Sequence, residues 1–391
     1  MNRLIKQSSR PLSLLVHRFC TSNNNPNSEK KGLTKIVIGA VGVAMSVGAA
    51  LLTNYGQIKE LKNDVDALLP TAIEDSYIEP VSKKNVKREL LNAQLMKASL
   101  AFPSDKYYIV YGAKGAGKSH AIDHTFKENK GVVKIMVTTA HNKDDIISEI
   151  SKELLSDENK KLNSKSLISA VKKSRVAPTI IFDVERGGSP DQVLGLEAVR
   201  SLSKMLAPYC RCFIVLSEAS AVLQFSKDID RETFIYVDEM SLEEAKEFLI
   251  QQKAALSVDQ MEKVYEILGG NPAKLKNLSG LTNFGLSVED FVKSSLLTAR
   301  MELVAFPHQT ILQALKEHPE GVSPEYFNKE KSEGVDLSDP YAVNSSIKTS
   351  NVLVYRMELK LYQLQSTAQK TALKTYDPII YSPDPPSFPP L

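Results

Sequence analysis

Residues Gly112 to Ser119 read Gly-Ala-Lys-Gly-Ala-Gly-Lys-Ser and satisfy G-x-x-x-x-G-K-[ST] at every fixed place. The spacing has a physical purpose. Gly112, Ala113, Lys114, Gly115, Ala116 and Gly117 form a loop whose glycines let backbone N–H groups turn inward around phosphate oxygens. Lys118 then adds a point charge for β and γ oxygens, and Ser119 offers a hydroxyl to Mg²⁺. His120 continues into the helix whose positive end faces the same anion. Lys114 and Ala116 fill variable positions, where Lys114 meets either phosphate or solvent.

A magnesium-side partner is found in "APTIIFDVERGG". Thr179 to Phe182 reads as a short buried strand that ends in Asp183, a carboxylate placed to orient a Mg²⁺-bound water. Hydrolysis also needs a group that positions the attacking water. Val184 stands where AAA-type ATPases usually carry a glutamate, and Glu185, on the same side as Asp183 if the strand continues, is the nearest substitute. The competing reading of Glu185 is a solvated loop carboxylate beside Arg186. Ser217, closing the strand "RCFIVL", is a candidate sensor of the γ-phosphate or the water, or else a turn former.

These residues need a scaffold that gathers strand ends, and the sequence supplies one. "KYYIV", "TIIF", "RCFIVL" and "ETFIYV" read as strands, separated by helix-spaced stretches at 143–155, 164–173 and 190–207. Such alternation predicts an α/β fold, a parallel sheet covered on both faces with its site at the strand ends. Ser241 with Glu244 and Ser257 with Gln260 are capping boxes that start two short helices, and Gly269 can end the second.

"VDEMSLEEAKEFL" followed by "GGNPAKL" at 269–275 resembles the strand-to-lid passage of archaeal-type P-loop ATPases on the AAA+/STAND side. The resemblance covers 85–365 and is strongest at Gly112 to Ser119, Asp183 and Gly269 to Pro272. It implies a helical lid whose Gly-Gly-Asn-Pro turn lies near the nucleotide, followed by a winged-helix domain. Local signals fit that order: a capped linking helix at 287–306, short helices in "PHQTILQALKEHPEG", "SPEYFNK" and "DPYAVNSSIKTS", and a β-rich wing in "NVLVYRMELKLYQL". No arginine matches a finger or sensor position by motif, although Arg200, Arg211 and Arg231 are available.

Composition bounds the rest. The 391 residues, 42% hydrophobic and 24% charged, are enough for two domains. Four of the 49 basic residues, Arg3, Lys6, Arg10 and Arg18, lie in the first twenty, leaving 45 against 46 acidic ones. A near-neutral body whose third C-terminal helix offers only Lys348 argues against nucleic acid and for a protein partner at the winged helix. Cys210 and Cys212, two apart on a strand, are read as pointing to opposite faces, and with Cys20 they form no disulfide framework or zinc site. His120 and His124 share a helix face, but Ala121 stands where a zincin would carry its glutamate.

The N-terminus carries its own signals. Residues 1–20 are basic, serine-bearing and free of acid, as mitochondrial transit peptides are, and "HRFCTS" resembles an arginine-led processing site. A polar spacer at 21–35 leads to Ile36–Leu52, seventeen residues without a charge, which just suffice for one bilayer span at 36–53. Small residues four apart there, Ala40, Ala44 and Gly48, could pack a second copy. Lysines 30, 31 and 35 before the span favour an inner-membrane topology with the C-terminal part in the intermembrane space.

The expected organisation is a juxtamembrane segment at 54–84, a P-loop core at 85–238, a lid at 239–282, a winged-helix domain at 283–370 and a proline-rich tail at 371–391. The expected activity is ATP hydrolysis with Mg²⁺ that switches domain arrangement. The alternatives are an ATP-binding scaffold or assembly factor with little turnover, and an ATPase of mitochondrial DNA maintenance.

Overall fold

The computed structural model describes residues 88–375 apart from 128, 139–140, 156–162, 185–193, 217–221, 224, 226–230, 329 and 347–351. Pro70, residues 72–74, Ser76 and Val86 are described as well. The expected transit peptide, spacer, membrane span and proline-rich end from 376 lie outside the described residues. Among the described residues, no helix is long and apolar enough to cross a membrane.

Five six-residue strands carry the fold: β1 (Tyr107–Gly112), β2 (Val132–Val137), β3 (Thr179–Val184), β4 (Arg211–Leu216) and β5 (Glu232–Val237). They pair in parallel in the order β2-β3-β4-β1-β5. Their runs of Val, Ile, Phe and Tyr suit a sheet buried on both sides.

The two-residue period of a strand divides these side chains between two helical layers. Tyr107, Ile109, Tyr111, Ile135, Phe182 and Ile214 face one layer, built by α3 (Lys143–Leu155), α4 (Ser164–Lys173) and α5 (Leu194–Leu206). Tyr108, Val110, Ile181, Phe213 and Ile235 face the other, built by α1 (Glu89–Leu100) and α2 (Lys118–Phe126). The three intervening helices begin and end within a few residues of the predicted spans.

The cysteines correct the sequence reading. Cys210 and Cys212 both belong to the first layer's core, with their Sγ atoms 3.5 Å apart. Residues two apart on an extended chain share a face, so the assignment to opposite faces was geometrically wrong. Both thiols are buried.

After β5 the chain becomes helical: α6 (Leu242–Gln251), α7 (Val258–Leu268), α8 (Pro272–Asn283), α9 (Val288–Val304) and α10 (Gln309–Glu317). Both predicted capping boxes form, and Gly269 caps α7. A 3₁₀ turn (Pro324–Phe327) and a small ribbon of β6 (Lys331–Ser332) with β7 (Val335–Asp336) follow. The helix α11 (Pro340–Ser346), the hairpin of β8 (Leu353–Arg356) with β9 (Leu361–Leu364), and α12 (Thr367–Lys374) complete the described chain.

One apolar cluster runs through this whole C-terminal half, from Leu249 and Leu268 through Leu303 and Leu315 to Tyr362 and Leu373. The boundary drawn at 370/371 falls inside α12, which packs against α9 and α7. Ser366 starts this helix in a capping box with Gln369.

Candidate functional site

The strand order places the Gly112–Ser119 loop where a ligand can reach it. β1 lies between β4 and β5, while the chain leaving β1 crosses to the far edge at β2, so the crevice at the C-terminal end of β1 is a topological switch point. Gly112 ends β1 and Lys118 opens α2. The loop between them therefore sits in that crevice, at a helix N-terminus.

Backbone geometry explains two of the glycines. Gly115 and Gly117 have φ of 78° and 86°, in the left-handed region that side chains avoid. A Cβ on Gly115 would also lie 2.7 Å from the Cβ of Ala273 and 2.9 Å from Oδ1 of Asn271. Lys114 is exposed, whereas Ala113 and Ala116 are buried under the loop.

Lys118 is buried at the centre, only 6% exposed. Its ammonium donates to the carbonyls of Gly112 at 3.0 Å and Ala113 at 2.9 Å. Burial brings its pKa down to about 8, opposed by the charge of Asp183. Ser119 Oγ donates to Asp183 Oδ1 at 3.2 Å. Asp183 is 3% exposed on β3, and its other oxygen, Oδ2, meets the ammonium of Lys134 on β2 at 3.1 Å. His120 is half-buried one turn into α2, and burial lowers its pKa. The hydroxyl and carboxylate are hard oxygen donors of the kind Mg²⁺ takes, and they already touch, so this chain fits the ion that a phosphate loop implies.

The Gly-Gly-Asn-Pro turn comes to the loop. Asn271 Oδ1 accepts from the N–H groups of Ala273 and Lys274, capping α8, while its Nδ2 donates to the carbonyl of Lys114 at 2.9 Å. The N–H of Ala273 reaches the carbonyl of Gly115 at 3.3 Å. A cavity of about 480 Å³ opens beside Gly117, lined by Ala121, His124 and Asn92 on one side and by Met240, Phe248 and Ala273 on the other. Its volume and mixed lining suit a heterocyclic base.

Three residues that sequence reasoning missed tie this site together. Arg88, 9% exposed, donates from Nη1 to the carbonyl of Ala116 at 2.9 Å and from Nη2 to those of Asp238 at 2.8 Å and Glu239 at 3.1 Å. One guanidinium thus joins the loop to the passage from β5 to α6. Tyr111, next to the first loop glycine, donates its hydroxyl to Glu358 Oε2 at 2.7 Å and accepts the N–H of Met357 at 3.0 Å. Lys134 is the third. A lone arginine, tyrosine or lysine carries no motif, and only the alternation of β2 hinted that Lys134 faces α2.

The arginines that the sequence made available are not gathered here. Glu185 and Ser217 lie outside the described residues; Val184, directly after Asp183, is buried in the core. Arg211 begins β4 and bonds the carbonyls of Ser99 and Ala177, Arg231 precedes β5 beside Asp105, and Arg200 pairs with Glu232 at the start of β5. All three sit at the end of the sheet opposite the loop, because parallel strands put their N-terminal ends on one side. His124 Nδ1 lies 3.3 Å from Asn92 Nδ2, and no group of three or more potential metal ligands of the His, Cys, Asp and Glu kind occurs among the described residues.

No family model and no curated protein matches the chain. Solved structures do. The chain is similar to a Walker-type ATPase of Pyrococcus abyssi, at 16% identity and a TM-score of 0.50 over 77% of this chain and 99% of that one. A STAND protein with a tetratricopeptide-repeat sensor from Pyrococcus horikoshii aligns at 12% identity and a TM-score of 0.38, over 77% of this chain and 44% of that one. The Aeropyrum pernix Orc1 protein in complex with DNA aligns at 14% identity and a TM-score of 0.38, over 78% and 96%. At such identities the likeness is one of fold, and the fold is that of the P-loop ATPases, as the resemblance at the lid passage had implied.

Proposed function

We propose that this protein binds ATP with Mg²⁺ and hydrolyses it to change the arrangement of its core, a lid at 239–282 and a winged-helix domain at 283–370. The observation that carries the reading is the 3.2 Å contact between Ser119 and Asp183 beside a buried Lys118 in a glycine loop. In this reading Lys118 leaves the neutral loop carbonyls for phosphate oxygens, whose negative charge makes them the stronger acceptors. Ser119 and Asp183 hold the cation from the protein side. The ion, when bound, neutralises charge gathering on the β and γ oxygens. Glu185 orients water, Ser217 senses the γ-phosphate, and the cavity beside Gly117 takes the base.

Val184 supports a second reading, an ATP-binding scaffold or assembly factor with little turnover. That residue is 3% exposed and aliphatic where a water-positioning group is expected, so no acid can act from its place. Steady-state turnover by the full chain, beside Lys118→Ala and Glu185→Gln with nucleotide binding measured on the same samples, separates the two. Turnover in the wild type with binding alone in Glu185→Gln supports the ATPase. Binding without turnover in the wild type supports the scaffold, and failure of the wild type to bind nucleotide overturns both.

The proposed setting is the mitochondrial inner membrane, with 36–53 as the anchor and the C-terminal part in the intermembrane space. Its support is the acid-free leader and the uncharged run. Digestion of the C-terminal part once the outer membrane is opened is the expected result; protection would place it in the matrix. A protein partner for the winged helix is favoured over DNA because α11 holds no basic residue.

A further inference from the structure

The acidic partner of the phosphate loop carries an internal cation. Lys134 projects from β2 toward α2, and its ammonium lies 2.7 Å from Asp123 Oδ1 and 3.1 Å from Asp183 Oδ2. Asp123 is four residues after Ser119, on the same face of α2. All three charged groups are largely buried, with side-chain exposures of 19% for Lys134, 15% for Asp123 and 4% for Asp183. Two buried carboxylates within reach of one point are hard oxygen donors of the kind a divalent cation takes. Here an ammonium fills that point.

The ammonium is held between one oxygen of each carboxylate. It leaves only Asp183 Oδ1, the oxygen on Ser119, facing the phosphate loop.

We propose that Lys134 is a resident counter-cation that denies the paired carboxylates of Asp123 and Asp183 to a free divalent ion, so that the metal enters only together with the nucleotide. Lys134 acts as a positioning residue: it holds Asp183 with one oxygen turned inward and one outward. Metal loading becomes conditional on the triphosphate, whose oxygens supply the ligands that Lys134 withholds. This inference rests on the Mg²⁺–nucleotide reading of the site.

The test is Mn²⁺ binding to the full chain by equilibrium dialysis, with and without ATP, counting only the ion on the protein side in excess of the Mn²⁺–ATP in the dialysate. Wild type is expected to take up no Mn²⁺ at sub-millimolar concentration without nucleotide and one ion with it. Lys134→Met is expected to bind one Mn²⁺ without nucleotide, at least about tenfold more tightly than wild type, because two buried carboxylates then face each other unpaired. Lys134→Arg keeps the charge and is expected to behave as wild type. A purely structural lysine would create no new ion site on removal.

Asp123→Asn keeps the fold-sparing polar contact and provides a second route should Lys134→Met not fold. Its nucleotide-dependent Mn²⁺ affinity is expected to stay within about threefold of wild type, since Lys134 still pairs with Asp183. A tenfold loss there would overturn the proposal by making Asp123 a metal ligand itself. Equal nucleotide-free Mn²⁺ affinity in wild type and Lys134→Met would also overturn it. If wild type fails to take up Mn²⁺ with ATP, the nucleotide reading falls, while a gain in Lys134→Met still reports the counter-cation separately.

Discussion

Raising the pH from 7 to 9 is expected to weaken nucleotide binding through Lys118. In the free protein, burial brings this ammonium down to about 8. Phosphate oxygens in place of carbonyl partners would return it to its ordinary range, so nucleotide binding above neutrality takes up a proton. For a free value near 8 and a bound value at or above the ordinary one, affinity falls about twofold by pH 8 and about tenfold by pH 9. Proton uptake per nucleotide rises in step, from about 0.1 at pH 7 to about 0.9 at pH 9. Calorimetric titration in two buffers of different ionisation enthalpy measures that uptake directly. In Lys118→Gln the affinity is lower throughout and its slope between pH 7.5 and 9 disappears. A wild-type affinity that stays flat across this range, with no uptake, would refute the argument. The same shift affects stability with a definite sign. Between about pH 8 and 10.5 the unfolded chain holds the extra proton, so this group makes the free protein more stable as pH rises through that window.

Other expected outcomes follow from single contacts. Gly115→Ala places a Cβ at φ 78° and 2.7 Å from Ala273, and the backbone strain alone should cost about 1–2 kcal/mol in chemical denaturation; an unchanged midpoint would refute the tight approach. Asn271→Ala removes the cap of α8 and should lose about 1–2 kcal/mol, whereas Asn271→Asp keeps the cap, loses the donor to Lys114 and should weaken nucleotide binding more than stability. Tyr111→Phe leaves the N–H of Met357 without its acceptor and should cost about 1–3 kcal/mol, read by urea denaturation. Arg88→Met should lower nucleotide affinity, since Ala116 loses its anchor; equal affinity would exclude that role.

The phosphate loop, its aspartate and the capped helices were legible because each is written locally. A glycine pattern, a strand-ending acid and a Ser-x-x-Glu box keep their meaning wherever the chain folds. Arg88 was not legible in this way: its partners Asp238 and Glu239 lie 150 and 151 residues further along. Lys134 and Tyr111 fail for the same reason, since long-range register decides what a single polar side chain meets. The helix α12 was not expected: Ser366 and Gln369 form its capping box, and the expected boundary at 370/371 falls within it. The cysteine pair erred through a misapplied strand period, not through hidden information.

The tyrosine that leads into the phosphate loop also bears on how this chain can be divided. Val354 of the C-terminal hairpin belongs to the same buried cluster as the sheet strands, Arg356 lies 3.7 Å over the ring of Tyr236, and Thr367 donates its hydroxyl to Glu239 at 2.5 Å. Cutting the chain after α8 would strip this cover from β1 and β5 and leave the Tyr111 phenol facing water from an apolar bed. The nucleotide-binding half is therefore not a detachable cassette. A gene fusion or a proteolytic cut that separated the two halves would yield a sticky fragment, and expression trials of the core alone would meet insolubility before they met loss of activity.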